Sequence, residues 1–185
     1  MPTATAFPLS TPSGERGARL TAAEIALFGM LGALTFGAKV VMSPLPNIEP
    51  ASLMIMLFAV TFGRRAVFPI YTYVALELLV YGVSLWSIPY LYIWLALAGA
   101  AWLMRGADHP LAWALLSGVY GLLFGALCAP VTLVLSGPAA ALTWWISGIP
   151  YDLLHFAGNF VLALVLFRPL RRLLGRLYGA MRQRT

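Results

Sequence analysis

Residues 51–84 read ASLMIMLFAVTFGRRAVFPIYTYVALELLVYGVS, and this stretch decides the fold. Two apolar runs lie on either side of the tripeptide Gly63-Arg64-Arg65. Arginines at this place mark a loop, because a charged side chain at the centre of a membrane-spanning helix costs about 2.5–3.5 kcal/mol. The stretch therefore predicts two membrane helices, at about 51–63 and 66–84, joined by a short basic turn.

The same alternation of apolar segments and arginines continues on both sides of this stretch. The further segments are about 21–42, 88–104, 111–135 and one ending near 168. Arginines precede the first segment, separate the second from the third and the fourth from the fifth, and follow the sixth: Arg16, Arg19, Arg64, Arg65, Arg105, Arg168, Arg171, Arg172, Arg176, Arg182 and Arg184. Short loops that carry Lys and Arg stay in the cytoplasm. The pattern predicts an all-α integral membrane protein, a six-transmembrane-helix bundle with both termini cytoplasmic.

The composition agrees with a membrane bundle. The chain is 61% hydrophobic and 10% charged, whereas a soluble domain has about 25% charged residues. The net charge of +6 does not indicate nucleic acid, because the basic groups flank apolar spans and so face anionic lipid headgroups. We expect a disordered cytoplasmic tail at 1–19, one membrane domain at 20–175 and a basic cytoplasmic tail at 176–185.

Prolines set the boundaries of two segments on the outer side. Residues 43–50 contain three prolines and are predicted to form an outer loop. Residues 139–168 are too long for one simple crossing, and proline favours the first position of a helix. We expect the sixth span to start near Pro150 and 139–148 to form a short interfacial segment. The alternative is a single kinked helix over 140–168.

Polar residues inside the predicted spans indicate a chamber that opens to the outside. Asp152, His155 and Asn159 have the spacing of one helix face. Aromatic side chains suit a flat ring, and the charged groups suit a carboxylate, an amine or a ring nitrogen. The candidate substrate-binding residues are Lys39, Asn47, Glu49, Glu77, Tyr81, Trp86, Tyr90, Trp144, Trp145, Asp152, His155 and Asn159.

Structural alternatives exist for several of these residues. Tyr and Trp near membrane boundaries also serve as interfacial anchors. Lys39 can instead extend its ammonium group outward to water. Asp152 and His155 can satisfy each other and hold the bundle together.

Small residues form a stripe along the first span. Ala22, Ala26, Gly29, Ala33 and Gly37 follow spacings of three and four. Such stripes let helices approach closely in lipid. The stripe packs either inside the same chain or against a partner, and the sequence leaves both interpretations open.

These features together resemble a known family. The run Gly148-Ile149-Pro150-Tyr151-Asp152-Leu153-Leu154-His155, the outer-loop run Pro46-Asn47-Ile48-Glu49-Pro50, the stretch Tyr90-Leu91-Tyr92-Ile93-Trp94 and the small-residue first helix look like those of the substrate-binding S component of energy-coupling factor (ECF) transporters. The likeness covers about residues 20–175.

The resemblance implies a function, partners and a location. S components sit in the prokaryotic cell membrane, capture vitamins or related micronutrients, and work with a transmembrane coupling subunit and two cytoplasmic ABC-type ATPases. The family's stripe for the coupling subunit maps to Ala22 and Ala26, with Gly29 and Ala33 as extensions. In biotin-type members a Pro-x-Asp-Leu-Leu-Lys-like run touches the ligand, and it maps to Asp152 and to His155, which replaces the lysine. We expect no enzyme activity, no cofactor, no metal and no nucleic-acid partner.

We expect the loop 43–50 and the segment 139–148 to close over a bound ligand as a lid. An intramembrane enzyme is disfavoured, because no Ser or Cys and no third metal ligand is placed with Asp152 and His155. A membrane scaffold or assembly subunit is the alternative to solute capture, since the small-residue stripe fits it equally well.

Overall fold

The computed structural model describes residues 19–45 and 48–183, and every regular element in these ranges is a helix. The helices are α1 (Ala22–Met42), α2 (Ala51–Phe62), α3 (Val67–Tyr81), α4 (Tyr90–Leu103), α5 (Pro110–Leu122), α6 (Phe124–Ser136) and α7 (Pro138–Arg182). A short 3-10 turn, Gly63–Ala66, joins α2 to α3. Asn47, Arg16, Arg184 and nearly all of the predicted N-terminal tail lie outside the described residues.

The chain from Ala51 to Tyr81 is a helical hairpin, as the Gly63-Arg64-Arg65 tripeptide predicts. Gly63 adopts φ of 57°, a backbone conformation that side-chain-bearing residues rarely take, and so ends α2. Glu49 just before α2 and Glu77 near the end of α3 both contact Lys39 at the end of α1. The chain therefore reverses direction at the turn; α3 packs beside α1 and runs parallel to it, while α2 packs on α4 and α7.

Helix α7 forms one wall of the bundle along its whole length. It contains 45 residues, which at about 1.5 Å per residue spans about 67 Å. Its contacts with α5 are close, because Gly121 presents no side chain where a Cβ atom would lie 2.8 Å from the carbonyl oxygen of His155. Farther along, the Phe167 ring stacks on Trp113 with centroids 4.2 Å apart.

The expectation that the sixth span begins near Pro150 after a separate segment at 139–148 is wrong. Residues 138–150 are helical and continuous with the rest of α7, which agrees with the alternative of one long helix. Proline removes a single N–H donor from the helix, and apolar membrane helices tolerate this loss where neighbouring groups compensate for it. Residues 176–182, in the predicted C-terminal tail, also belong to α7.

Within the described residues, four contiguous stretches of helix are, by length and composition, long and apolar enough to cross a membrane, and they indicate a membrane protein. They are Ala22–Met42, Ala51–Tyr81, Pro110–Ser136 and Pro138–Arg182, while Tyr90–Leu103 is apolar but shorter. Large apolar side chains such as Met30, Leu79 and Val134 point outward and are exposed. An apolar outer surface is what a bundle presents to lipid.

The interior of the bundle is filled by aromatic and aliphatic side chains from all the long helices. The largest fully buried ones are Trp94, Trp113, Tyr73, Phe28, Phe58 and Phe167. The packing is dense near the turn Gly63–Ala66, where Phe62 meets both Phe28 and Tyr178 edge to face. The opposite end of the bundle, where α1 ends and α4 begins, is where the candidate site lies.

Candidate functional site

A cavity of about 620 Å³ opens at the end of the bundle where α1 and α3 end and α4 begins. Its wall combines charged, aromatic and small residues from five helices and from the loop between α1 and α2. The lining residues are Lys39, Met42, Ser43, Leu45, Ile48, Glu49, Tyr81, Trp86, Tyr90, Phe124, Gly125, Trp144, Gly148, Tyr151, Asp152 and His155. Its volume lies within the range of about 300–1,000 Å³ typical of small-molecule sites.

Lys39 is the centre of a charge cluster on one side of the cavity. Its Nζ atom donates to Glu77 Oε2 at 2.9 Å and to the Tyr90 hydroxyl at 3.3 Å. Glu49 Oε2 lies 3.7 Å from the same Nζ, which is an ion-pair contact but too long for a hydrogen bond. One ammonium group therefore faces two carboxylates, and the cluster retains a negative charge when all three are ionised.

Glu49 enters this cluster from the loop rather than from a helix. Burial raises the pKa of its carboxyl group above the ordinary value, and the nearby Lys39 ammonium opposes that rise. The net direction is upward because desolvation penalises the charged form more than one cation stabilises it. Glu49 is thus a carboxylate that protonates more readily than one in water.

Asp152 and His155 form the opposite side of the cavity and come from α7. Both are buried, with 5% and 2% of their surface exposed. Asp152 Oδ1 accepts a hydrogen bond from the backbone N–H of Gly125 at 3.1 Å. Gly125 lies in the first turn of α6, where the short break at Leu123 leaves N–H groups available and the helix dipole favours a negative charge.

Three polar atoms of the cavity wall are buried without a hydrogen-bond partner. They are Glu49 Oε2, Asp152 Oδ2 and His155 Nε2. Leaving a buried polar atom unbonded costs about 1–3 kcal/mol, and more for a charged group. They are three of the nine buried side-chain polar atoms that lack such a partner in the described part of the chain, and on this wall they remain available to bond a solute.

Aromatic rings cover the mouth of the cavity. Trp86, from the connection between α3 and α4, lies with its ring centroid 4.7 Å from that of Trp144 on α7. The Lys39 ammonium lies 5.1 Å from the Tyr90 ring centroid and 5.9 Å from that of Tyr81. Deeper in, the Phe124 ring is 4.8 Å from the imidazole of His155. Aromatic rings thus lie beside the ionisable groups both at Lys39 and at His155.

The structure gathers most of the predicted site residues around this cavity but not all of them. Trp145 is 39% exposed and does not line the wall. Asn159 is fully buried one turn below His155, where its Nδ2 donates to Ser52 Oγ at 3.0 Å and to the Ser117 carbonyl at 3.3 Å. Asn159 therefore joins α2, α5 and α7.

Two other predicted residues do not line the wall either. Asn47 lies outside the described residues. Glu77 does not reach the cavity itself, but its carboxylate accepts a hydrogen bond from Lys39, which lines the wall.

Sequence reasoning missed several residues of the wall. Phe124, Gly125 and Tyr151 line it without having been singled out. Glycine inside an apolar helical run is a weak signal of close approach, and Gly125 meets that description. Ile48 was also missed; its side chain packs on Gly158 of α7 and so brings the loop onto the helix.

A second cluster of buried charge lies at the other end of the bundle, and sequence reasoning missed it too. Glu24 caps the start of α1 by accepting from the Thr21 backbone N–H. Its Oε1 atom accepts from Arg65 of the basic turn and from the Tyr178 hydroxyl, the latter at 3.1 Å. The cluster joins α1, the turn and the end of α7, and both oxygens of the carboxylate are bonded.

The small-residue stripe of α1 lies on the surface. Ala22, Ala26 and Ala33 are exposed, and a Cβ atom added at Gly29 would meet nothing within 4 Å. Gly32, on the buried face of α1, is the small residue that packs inside the chain, against Thr72 and Pro69 of α3. Of the two interpretations of the stripe, packing inside the same chain does not occur in the described structure.

Within the described ranges, no group of three His, Cys, Asp or Glu side chains is placed to hold a metal ion. Comparisons of the chain with protein-family models, with curated proteins and with solved structures gave no match, so its function is argued from the geometry of the cavity.

Proposed function

We propose that this chain is the membrane-embedded substrate-capture subunit, or S component, of an ECF-type importer. It binds a small vitamin-like or heterocyclic micronutrient from the outside. One observation carries the proposal: a cavity of about 620 Å³ whose wall contains buried polar atoms of Glu49, Asp152 and His155 that have no hydrogen-bond partner. Such a cavity suits a solute with several hydrogen-bonding groups.

The charge and the rings of the wall narrow the solute class. Three carboxylates, on Glu49, Glu77 and Asp152, face a single ammonium group on Lys39. A cationic or zwitterionic molecule balances this excess of negative charge. The rings of Trp86, Trp144 and Tyr90 favour a flat heterocycle, since aromatic faces stack on planar rings and attract cations.

The proposal includes a topology of six short crossings with both termini in the cytoplasm. It is supported by the position of the arginines, since Arg65 meets Tyr178 through Glu24 and Arg171 donates to the Arg105 carbonyl. These contacts gather arginines at one end of the bundle, and the cavity lies at the other. Because arginine-rich loops remain cytoplasmic, the cavity then opens to the outside. Residues 43–45 and 48–50 of the outer loop, together with the first turns of α7, form its lid.

The exposed stripe supports the rest of the importer assembly. Ala22, Ala26, Gly29 and Ala33 give α1 a smooth outward face, on which a second membrane helix can pack closely. We propose that the transmembrane coupling subunit binds there and is driven by two cytoplasmic ABC-type ATPases. The chain itself acts without catalysis and without a cofactor.

Mass spectrometry of the detergent-purified chain tests the proposal. A small molecule should copurify with the native protein and be lost from Gly148→Leu, because Gly148 lines the cavity and an added side chain enters open space. The matched control is Gly99→Leu, which also meets open space but lies away from the cavity. Equal retention by both variants, or no retained small molecule in any preparation, would contradict solute capture at this site.

A scaffold or assembly subunit is the second candidate function, and the exposed stripe on α1 is the observation that favours it. A scaffold needs the stripe but not the cavity. Ala26→Leu should then abolish the chain's role in cells while Gly148→Leu leaves it intact. For a capture subunit, both substitutions abolish uptake, and only Gly148→Leu abolishes solute binding.

A further inference from the structure

The last part of α7 crosses the arginine-rich end of the bundle. Phe167 stacks on Trp113 near the start of α5, and Tyr178 reaches Glu24 and Phe62 near the start of α1 and the end of α2. Residues 167–178 therefore connect two places on the same end of the molecule. A helix in this position lies where the membrane meets water, beyond the apolar part of α7.

A basic groove of about 500 Å³ lies along this segment. It is lined by Asp108, Trp113, Arg168, Arg171, Arg172, Gly175 and Arg176. Arg168, Arg172 and Arg176 are spaced by four residues, which places them along one face of the helix. Four arginines against one aspartate leave three net positive charges on the groove.

Two of the arginines are held in place by main-chain carbonyl groups. Arg168 donates through Nη2 to the Asp108 carbonyl at 2.6 Å and through Nε to the same oxygen at 3.1 Å. Arg171 donates to the Arg105 carbonyl at 2.8 Å and to the Ala107 carbonyl at 3.3 Å, and it lies over the Trp113 ring. Each guanidinium group has five N–H donors, so both retain donors for a further acceptor.

The other two arginines have no acceptor among the described residues. Arg172 and Arg176 are exposed and line the groove beside the two anchored arginines. Guanidinium groups match the oxygens of a phosphate group and bond it in pairs. The groove thus presents fixed and free guanidinium groups to one small anion of this kind.

Apolar side chains next to the groove distinguish between two sources of phosphate. Leu173 and Leu177 lie on the adjacent helix face and are 53% and 58% exposed. A soluble phosphate compound without an apolar part would make no contact with these leucines. A phospholipid places its phosphate at the arginines and its acyl chains against the leucines, as amphipathic helices at membrane surfaces do.

We propose that the groove formed by Arg168, Arg171, Arg172 and Arg176 is a binding site for the phosphate group of an anionic phospholipid. Zwitterionic lipids are disfavoured because their own cation meets a groove that already carries excess positive charge. The site is separate from the solute cavity, and it stands whether or not the chain captures a solute.

Native mass spectrometry of the full chain in detergent, titrated with phosphatidylglycerol or phosphatidylcholine, tests the proposal. The native chain should retain phosphatidylglycerol preferentially. The variant Arg172→Gln/Arg176→Gln should bind it roughly 25-fold more weakly, at roughly fivefold for each arginine near a lipid surface. The control Arg64→Gln/Arg105→Gln removes the same charge from exposed arginines outside the groove and should change retention less than twofold, within the scatter expected of a surface substitution.

Three outcomes would overturn the assignment. The first is equal loss of phosphatidylglycerol in the groove variant and in the control, which would indicate that the lipid responds to net positive charge and not to a specific site. The second is equal retention of phosphatidylcholine by the native chain. The third is retention of inorganic phosphate in place of the lipid, which would assign the groove to a soluble phosphate compound. Arg172→Lys/Arg176→Lys keeps the charge, and it should recover only part of the affinity because lysine lacks the paired donors.

Discussion

The two ends of this bundle each bury a charge cluster, and the clusters differ in how completely their polar atoms are bonded. At the arginine-rich end, Glu24 accepts from Arg65, Tyr178 and the Thr21 backbone, and the rings of Phe28 and Phe62 pack edge to face on each other. At the cavity end, Lys39 faces Glu49 and Glu77, and polar atoms of Glu49, Asp152 and His155 have no hydrogen-bond partner.

The difference teaches how to separate a structural charge cluster from a binding cluster. Burying charge is costly at both ends, and only at the Glu24 end do protein groups fully compensate for that cost. At the cavity end the uncompensated atoms surround a space large enough for a solute. Four predictions test this contrast, in order of decreasing expected effect.

The largest effect is expected at the structural cluster. Glu24→Gln leaves the Arg65 guanidinium group without its charged partner, and breaking a buried pair costs about 3–5 kcal/mol. The free energy of unfolding in detergent, followed by circular dichroism, should fall by that amount. Asp108→Asn, an exposed acid at the same end, is the control and should change it by less than about 0.5 kcal/mol. An unchanged free energy of unfolding in Glu24→Gln would contradict the proposed difference between the two ends of the bundle.

At the cavity end, Asp152 should affect binding instead of folding, whereas Glu77 should affect both, because its buried carboxylate is bonded to Lys39. Glu77→Gln and Asp152→Asn should each weaken the affinity for the copurified solute by on the order of 1.5–3 kcal/mol, because each removes a charged hydrogen-bonding group. Asp152→Asn should leave the free energy of unfolding unchanged or raise it, since a neutral amide is cheaper to bury than an unpaired carboxylate. Calorimetric titration measures the first quantity and thermal unfolding the second. Unchanged affinity in both variants would remove these acids from the site.

A smaller change in solute affinity is expected when the hydrogen bond that orients Asp152 is disturbed. In Gly125→Ala the new Cβ atom would lie 2.5 Å from Asp152 Oδ2, so the carboxylate must move. We expect solute affinity to fall roughly fivefold, the value of about one ordinary hydrogen bond. Gly99→Ala, which meets open space within an apolar helix, is the matched control and should bind like the native chain. Equal affinity in both would show that the position of Asp152 is not critical.

The smallest effect is a pH dependence that arises from Glu49. Because burial raises its pKa, this carboxylate takes up a proton closer to neutral pH than an ordinary glutamate does. Protonation removes a negative charge from the cavity, so affinity for a cationic solute should fall as the pH is lowered from neutral. Glu49→Gln should bind more weakly at neutral pH and lose this part of the dependence. A native affinity that rises on acidification would contradict a cationic solute.

The sequence predicted the turn between α2 and α3 and half of the residues that line the cavity, because both depend on local patterns. Arginines beside Gly63 mark a turn wherever the chain lies in lipid, and Lys39, Glu77 and Asp152 stand out as charges in apolar runs. Asn159 shares a helix face with His155, but its partners Ser52 and Ser117 come from other helices. The same is true of Glu24, Arg65 and Tyr178, whose separation along the chain hides their contact. The boundary at Pro150 was misjudged because a proline inside a helix removes only one N–H donor, and α7 continues through it.

Helix α7 carries Asp152 and His155 on the cavity wall and Tyr178 at the arginine-rich end, with no break between them. Its two internal prolines, Pro150 and Pro169, are the places where it can bend, since each interrupts the backbone ladder. Asp152 and His155 lie between these two prolines, so they move together when the helix bends at either one. A bend at Pro169 would let the arginine-rich end reorient while the cavity wall keeps its shape.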